Sequence, residues 1–156
     1  MAANPCPCGS ENEVNNCCLP FINDIQKPQS AEQLMRSRFS AYALGSYDYI
    51  IDTYHSSTRP EICASDLAQD CNSTRWLKLE LDDAYDESAY SYVRFRAFSK
   101  EDGQFYCLHE LSRFVKENDI WFYIDGDIQP DSGKLKPNRN SQCLCGSGKK
   151  FKRCCG

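Results

Sequence analysis

The chain has 156 residues, 41% hydrophobic and 12% aromatic, with a formal net charge of −4. That length suits one domain of ordinary size with small appendages, and the balance argues against a uniformly basic nucleic-acid binder, a disordered chain or a membrane protein. Its 11 cysteines are too sparse for a short secreted disulfide scaffold, and their odd number leaves one thiol over if all the others pair.

The N-terminus reaches Cys6 after Met-Ala-Ala-Asn-Pro, without a basic or apolar leader. No apolar run approaches the roughly 18 residues that would span a bilayer, so a cytoplasmic setting is expected. There, clustered cysteines serve as metal ligands more readily than as disulfides. Cys6, Cys8, Cys17 and Cys18 read C-x-C-G-S-x6-C-C. Four thiolates match tetrahedral Zn²⁺, whose filled shell points to a structural rather than a catalytic ion. Iron is the weaker alternative, and in an oxidising compartment Cys6–Cys17 and Cys8–Cys18 disulfides could staple the same loop. Gly9, directly after the C-x-C pair, permits the positive φ that turns the chain back sharply.

Residues 23–30 read as a linker. Ser30 is a plausible N-cap for a helix carrying Met35, Phe39 and Tyr42 on one face and ending at Gly45. A second short helix is expected over Tyr47–Tyr54, and a third over Pro60–Gln69 with Pro60 in its first turn. The period then changes to two. Leu77, Leu79 and Leu81 alternate against Trp76, Lys78 and Glu80, and Val93, Phe95 and Ala97 against Tyr92, Arg94 and Arg96. Residues 104–115 form a third run, and Ile120, Phe122 and Ile124 alternate against Trp121 and Tyr123. Glu101-Asp102-Gly103 and Glu117-Asn118-Asp119 are turn-like junctions. Helices followed by an antiparallel meander give an α+β fold, with the helices covering one face of a curved sheet.

The end of the chain repeats its beginning. Cys143, Cys145, Cys154 and Cys155 reproduce the first cysteine set, and Gly146-Ser147 reproduces Gly9-Ser10, all at an offset of 137 residues without a gap. Charge separates the two copies. Residues 1–22 carry only Glu11 and Glu13, whereas residues 134–156 carry Lys134, Lys136, Arg139, Lys149, Lys150, Lys152 and Arg153 with no acid. A tail of +7 therefore follows a body of −9, an asymmetry that suggests an anionic partner for the tail. Each end module is expected to fold on its own metal, independently of the body.

Cys143-Leu-Cys145-Gly-Ser-Gly-Lys-Lys-Phe-Lys-Arg-Cys154-Cys155 resembles the SEC-C motif, a zinc module named after the C-terminus of the SecA translocation ATPase. The resemblance implies that Cys143, Cys145, Cys154 and Cys155 bind zinc and that the module makes protein contacts; in SecA it meets a chaperone. The N-terminal copy keeps the ligands and Gly9-Ser10 but replaces the basic stretch with Glu-Asn-Glu-Val-Asn-Asn. The order of elements between the modules is similar to the cone-shaped fold of nuclear-transport-factor-like and ketosteroid-isomerase-like domains. With Leu34-Met-Arg-Ser-Arg-Phe39, Tyr54-His-Ser-Ser-Thr-Arg-Pro60, Glu110-Leu-Ser-Arg-Phe-Val115 and Trp121-Phe-Tyr-Ile-Asp-Gly126, the whole chain resembles the YchJ family. That likeness implies a SEC-C-like motif over 1–22, a cone-like (cystatin or nuclear-transport-factor-like) domain over 30–133 and a SEC-C motif over 138–156. It brings a fold but no established activity.

Two readings of function follow. In the first, the chain is a zinc-binding adaptor holding two structural Zn²⁺ ions. Its basic knuckle, Lys149, Lys150, Lys152 and Arg153 with Phe151 between them, docks on a protein or nucleoprotein partner. In the second, it is a small-molecule binder or enzyme using a cone pocket drawn from Arg36, Arg38, His55, Arg59, Glu110 and Arg113, with Asp125 nearby. No catalytic motif is recognisable, and His109 and Glu110, as strand neighbours, face opposite sides. An ion pair from Glu110 to Arg36 or Arg38 is expected. Cys63, Cys71 and Cys107 lack metal spacing and are expected to be buried, inert thiols.

Overall fold

The structure is a computed structural model and describes residues 4–156. Among the described residues, four α-helices precede the sheet: α1 (Leu19–Ile22), α2 (Ala31–Leu44), α3 (Tyr47–Asp52) and α4 (Ala64–Cys71). The sheet comprises β1 (Thr74–Glu87), β2 (Tyr90–Glu101), β3 (Gln104–Glu117), β4 (Ile120–Ile128) and β5 (Gly133–Leu135). β1 to β4 form an antiparallel meander, and β5 pairs with the first part of β3, end to end with β4.

α2 begins where Ser30 accepts the Gln33 N–H and ends at Gly45 in the left-handed conformation, as its cap residues predict. It buries Leu34, Met35 and Phe39 against the inner face of the sheet, where Val93, Phe95, Ala97 and Phe114 are also buried. Each fully buried Leu or Phe there contributes about 1.5–3 kcal/mol.

α3 stops at Asp52, short of the expected Tyr54, because the next residues leave the helix to cover the edge of β4. The Tyr123 N–H donates to the Thr53 carbonyl and the His55 N–H to the Tyr123 carbonyl. α4 starts at Ala64 rather than near Pro60, since Asp66 accepts from the backbone N–H and thiol of Cys63 in a capping arrangement. Cys63 is therefore exposed and Cys71 half-buried; of the three non-clustered cysteines only Cys107 is buried as expected.

Asp102-Gly103 and Asn118-Asp119 take positive φ at both positions, the geometry of two-residue hairpin turns. Register shifts interrupt the strict alternation read in the sequence. In β1 one shift lies between Trp76 and Lys78 and another between Leu81 and Asp83. Trp76 thus joins Leu79 and Leu81 against the main core, while Leu77 packs in a separate cluster with Phe105 and Phe151. A third shift, opposite Arg113 and Phe114, leaves Ile124 unpaired and puts Trp121 and Tyr123 against the core. Such bulges bend strands and increase twist, which curves the sheet around α2.

Candidate metal centres and cone cavity

The two cysteine repeats fold alike. Cys6 N–H donates to Asn12 O and Gly9 N–H to Cys6 O; at the offset of the repeat, Cys143 N–H donates to Lys149 O and Gly146 N–H to Cys143 O. Gly9 and Gly146 have φ of 81° and 79°, so each supplies the turn expected of it. A single turn of 3-10 helix, Val14–Asn16 or Phe151–Arg153, then returns the Cys-Cys pair. Ser10 and Ser147 lie 3.1 and 3.3 Å from the sulfurs of Cys17 and Cys154.

In each repeat the four Sγ atoms lie within 4.8 Å of one another. Individual separations are 3.6 Å for Cys8–Cys17, 3.4 Å for Cys145–Cys154 and 3.9 Å for both adjacent pairs. Metal–sulfur bonds of about 2.3 Å in a tetrahedron require sulfur–sulfur edges of roughly 3.8 Å. The donor sets therefore fit a metal ion, and all eleven cysteines are free thiols rather than disulfides. Sulfur chemistry at the C-terminal set is already uneven: the Ser147 hydroxyl and the Cys154 thiol draw the Cys145 thiol down to about 6, against the cost of burial.

The surroundings of the two repeats differ. Cys6, Cys8 and Cys18 belong to the main core, at 4%, 0% and 1% exposure. Arg36 donates to the Cys8 carbonyl at 2.8 Å, and Cys6 Sγ lies 3.3 Å from Ser40 Oγ. Gly9 packs so closely on β1 that an added Cβ would lie 3.3 Å from the Leu79 carbonyl. The N-terminal module is thus built into the body, contrary to the expected independence. The C-terminal module rests instead on the other face of the sheet, through Phe151, whose ring meets Phe105 edge-on at 5.2 Å. Cys145 and Cys155 are half-exposed and Cys154 is exposed.

Phe151 is buried and anchors the knuckle, so it is not the displayed aromatic that its position among the lysines suggests. Val14, its equivalent in the first repeat, is buried in the same way. Lys149, Lys150, Lys152 and Arg153 are exposed and line a shallow surface depression.

The pocket residues anticipated from sequence are scattered. Arg36 holds the first knuckle, as above. His55 is bonded on the surface between Ser57 and Glu117, at 2.7 Å each. Arg59 caps the Asp52 and Tyr54 carbonyls, and Arg113 makes a two-bond pair with Asp125 on the outer face, over the Tyr90 ring. Only Arg38 and Glu110 line a cavity between α2 and the inner face, of about 250 Å³. Arg38 is 5% exposed, donates to the Ile50 carbonyl and Thr53 hydroxyl, and lies over the rings of Tyr54 and Tyr123. Glu110 accepts from Ser112 and Tyr123. The expected ion pair between Glu110 and a helix arginine is absent among the described residues. Burial, reinforced by the neighbouring Glu110 charge, pushes the Tyr123 phenol up, and burial raises Tyr42 to about 12.

A further cluster escaped the sequence reading. His109 points outward, opposite to Glu110 as alternation requires, with Nδ1 2.7 Å from Asp131 and Nε2 3.3 Å from Asp82. Arg96 bridges both carboxylates. Hydrogen bonding to His109, then to Arg96, holds the Asp131 carboxyl below the usual carboxylate range. Gln129 and Ser132 bond to the His109 backbone, so the cluster straps the segment leading to β5 and the second knuckle onto β3. Asp82 sits at a bulge and Asp131 in a loop, positions that a period-two reading does not place beside His109.

Sequence comparison agrees with this architecture. The family model described as the YchJ middle NTF2-like domain matches residues 30–126, and the SEC-C motif model matches residues 139–156. The chain belongs to the YchJ family. It is 44% identical to a UPF0225 protein of Vibrio parahaemolyticus over 167 residues, covering 99% of each chain. A UPF0225 protein of Photorhabdus laumondii is 40% identical, covering 97% of this chain and 98% of that one. Two solved structures are similar. A SEC-C motif containing protein from Rhodopseudomonas palustris has a TM-score of 0.72 at 29% identity, over 79% of this chain and 97% of that one. One from Psychrobacter arcticus has a TM-score of 0.69 at 27% identity, over 99% of this chain and 96% of that one. No helix is long and apolar enough to cross a membrane.

Proposed function

We propose that this YchJ-family chain is a zinc-binding adaptor. The first Zn²⁺ completes the body's core, and the second supports a basic knuckle that docks on an acidic protein or nucleoprotein partner in the cytoplasm. One observation carries the partner reading. Among the described residues, none of the seven cations of residues 134–156 lies within 4 Å of a carboxylate. In the body, by contrast, Lys27, Arg36, Lys78, Arg96, Arg113 and Lys116, six of its eleven cations, have such a partner. Four of the free cations crowd one small exposed turn, where an anionic surface gains from several charges at once. Zinc is favoured over iron because the cysteine spacing resembles that of a known zinc module, the SEC-C motif.

Affinity capture from cytosol tests the reading with wild type and a variant in which Lys149, Lys150, Lys152 and Arg153 are all changed to Gln, zinc content being measured in both. Loss of a salt-sensitive set of partners from the zinc-loaded variant is the expected outcome. Identical partner sets contradict the docking role.

A further inference from the structure

Neither knuckle uses the cavity between α2 and the sheet. Its volume of about 250 Å³ equals roughly eight waters at about 30 Å³ each, or one small ring system with polar substituents. It is too small for a dinucleotide. Phe39, Tyr42, Tyr54, Trp76 and Tyr123 wall it with aromatic rings, which meet a flat guest by stacking and edge contacts.

Two features distinguish it from a simple packing gap. First, it is lined by both a cation and a carboxylate that do not neutralise each other. Arg38 commits Nη1 to the Ile50 carbonyl and Thr53 hydroxyl, and Glu110 is engaged through Oε2 by Ser112 and Tyr123. Among the described residues, the other guanidinium nitrogens of Arg38 and Oε1 of Glu110 have no hydrogen-bond partner. Second, the indole Nε1–H of Trp76, a residue of the same wall, is shielded from solvent without an acceptor. Buried polar groups are normally bonded, so the shielded Trp76 N–H, beside the solvent-reachable free edges of Arg38 and Glu110, points to a missing occupant.

A purely apolar guest would leave both charges unpaired, and a guest with only an acidic group would leave the Glu110 acceptor unmet. We propose that the cavity binds a small planar aromatic acid that also carries an O–H or N–H donor, its acid oxygens facing Arg38 and its donor facing Glu110. The rings supply the affinity of shape and the two charges fix the orientation.

The two tryptophan indole N–H signals of the ¹⁵N-labelled full chain provide the readout, assigned with Trp121→Phe. The probes are 4-hydroxybenzoate, anthranilate and L-phenylalanine, with benzoate and phenol as single-function controls. At least one bifunctional probe is expected to shift the Trp76 signal saturably, about tenfold more tightly than either control, while Trp121 stays put. Glu110→Gln should reduce that advantage by about tenfold. Ala97→Met, which adds bulk to the cavity wall, should abolish binding while the Trp121 signal reports an intact fold. Failure of every probe to move Trp76 by roughly 10 mM would overturn the assignment. Equal binding by the controls, or binding unchanged in Glu110→Gln, would do the same.

Discussion

Cys8 and Cys145 occupy the same position in two copies of one motif, yet the first is fully buried in the main core and the second is half-exposed at the periphery. The backbone bonds, the glycine turn and the 3-10 return are shared. What differs is the residues between the ligands. Glu11–Asn16 leave the first knuckle with a small anchor, Val14, and no cation, so it can sink between α2 and β1. The second carries Lys149, Lys150, Lys152 and Arg153, whose solvation keeps that turn at the surface while the larger Phe151 reaches down to Phe105. One motif thus serves as part of a core in one place and as a displayed module in the other, and the choice is made by a handful of non-ligand side chains.

The sharpest way to break that comparison is to remove one ligand from each site. Cys8→Ser should lower the stability of the whole chain by at least about 3 kcal/mol, since it removes metal-supplied folding energy from within the core. Cys145→Ser should change the body's thermal transition by less than about 1 kcal/mol, because its module is peripheral. Near-ultraviolet circular dichroism of the two variants checks this; equal losses would mean that the modules are energetically alike.

The anchors come next. Phe151→Ala should loosen the second knuckle by roughly 1–3 kcal/mol, less than a fully enclosed core phenylalanine would lose because its module is peripheral. Faster amide exchange confined to residues 139–156 is the expected signature. Val14→Ala should instead reduce global stability by about 1–2 kcal/mol through lost burial and a small cavity. If it too affected only its own module, the first knuckle would not be part of the core.

The smallest effect concerns acid. The folded-state acidity of Asp131 is strengthened by His109, so its stabilising contribution is present above the ordinary carboxylate value of about 3.9. It is lost as pH falls through the depressed folded value. Amides of the strap over residues 129–135 should then lose exchange protection at acid pH, and Asp131→Asn should remove that pH dependence. A pH response retained in the variant would locate the titrating group elsewhere.

Much of this arrangement is legible in the residues themselves. Ser30 and Gly45 bound α2 because capping is local chemistry, and Asp102-Gly103 forms its turn for the same reason. The two cysteine sets that could hold a metal are legible because their spacing is local too. The cavity was only half readable: Arg38 and Glu110 line it, whereas His55, Arg59 and Arg113 satisfy nearby carbonyls or carboxylates at the surface. Charge identifies an ionisable residue but not which face it occupies after bulges at β1 and β4 have shifted the alternation. The same shifts hid the His109–Asp131–Asp82 cluster and exchanged Leu77 for Trp76 in the core. Burial of the first knuckle was illegible for a related reason, since it depends on the fit of Gly9 against a β1 carbonyl far along the chain.

Two chemically equivalent cysteine sets that could hold a metal are thus placed at different depths. Titrating the zinc-loaded chain with a strong chelator, while following released metal and the body's near-ultraviolet signal together, tests this placement most directly. Two zinc ions per chain should leave in two phases: a first that spares the body's signal and a second that abolishes it. Release of both ions in a single phase, or complete release with the body's signal intact, would contradict it.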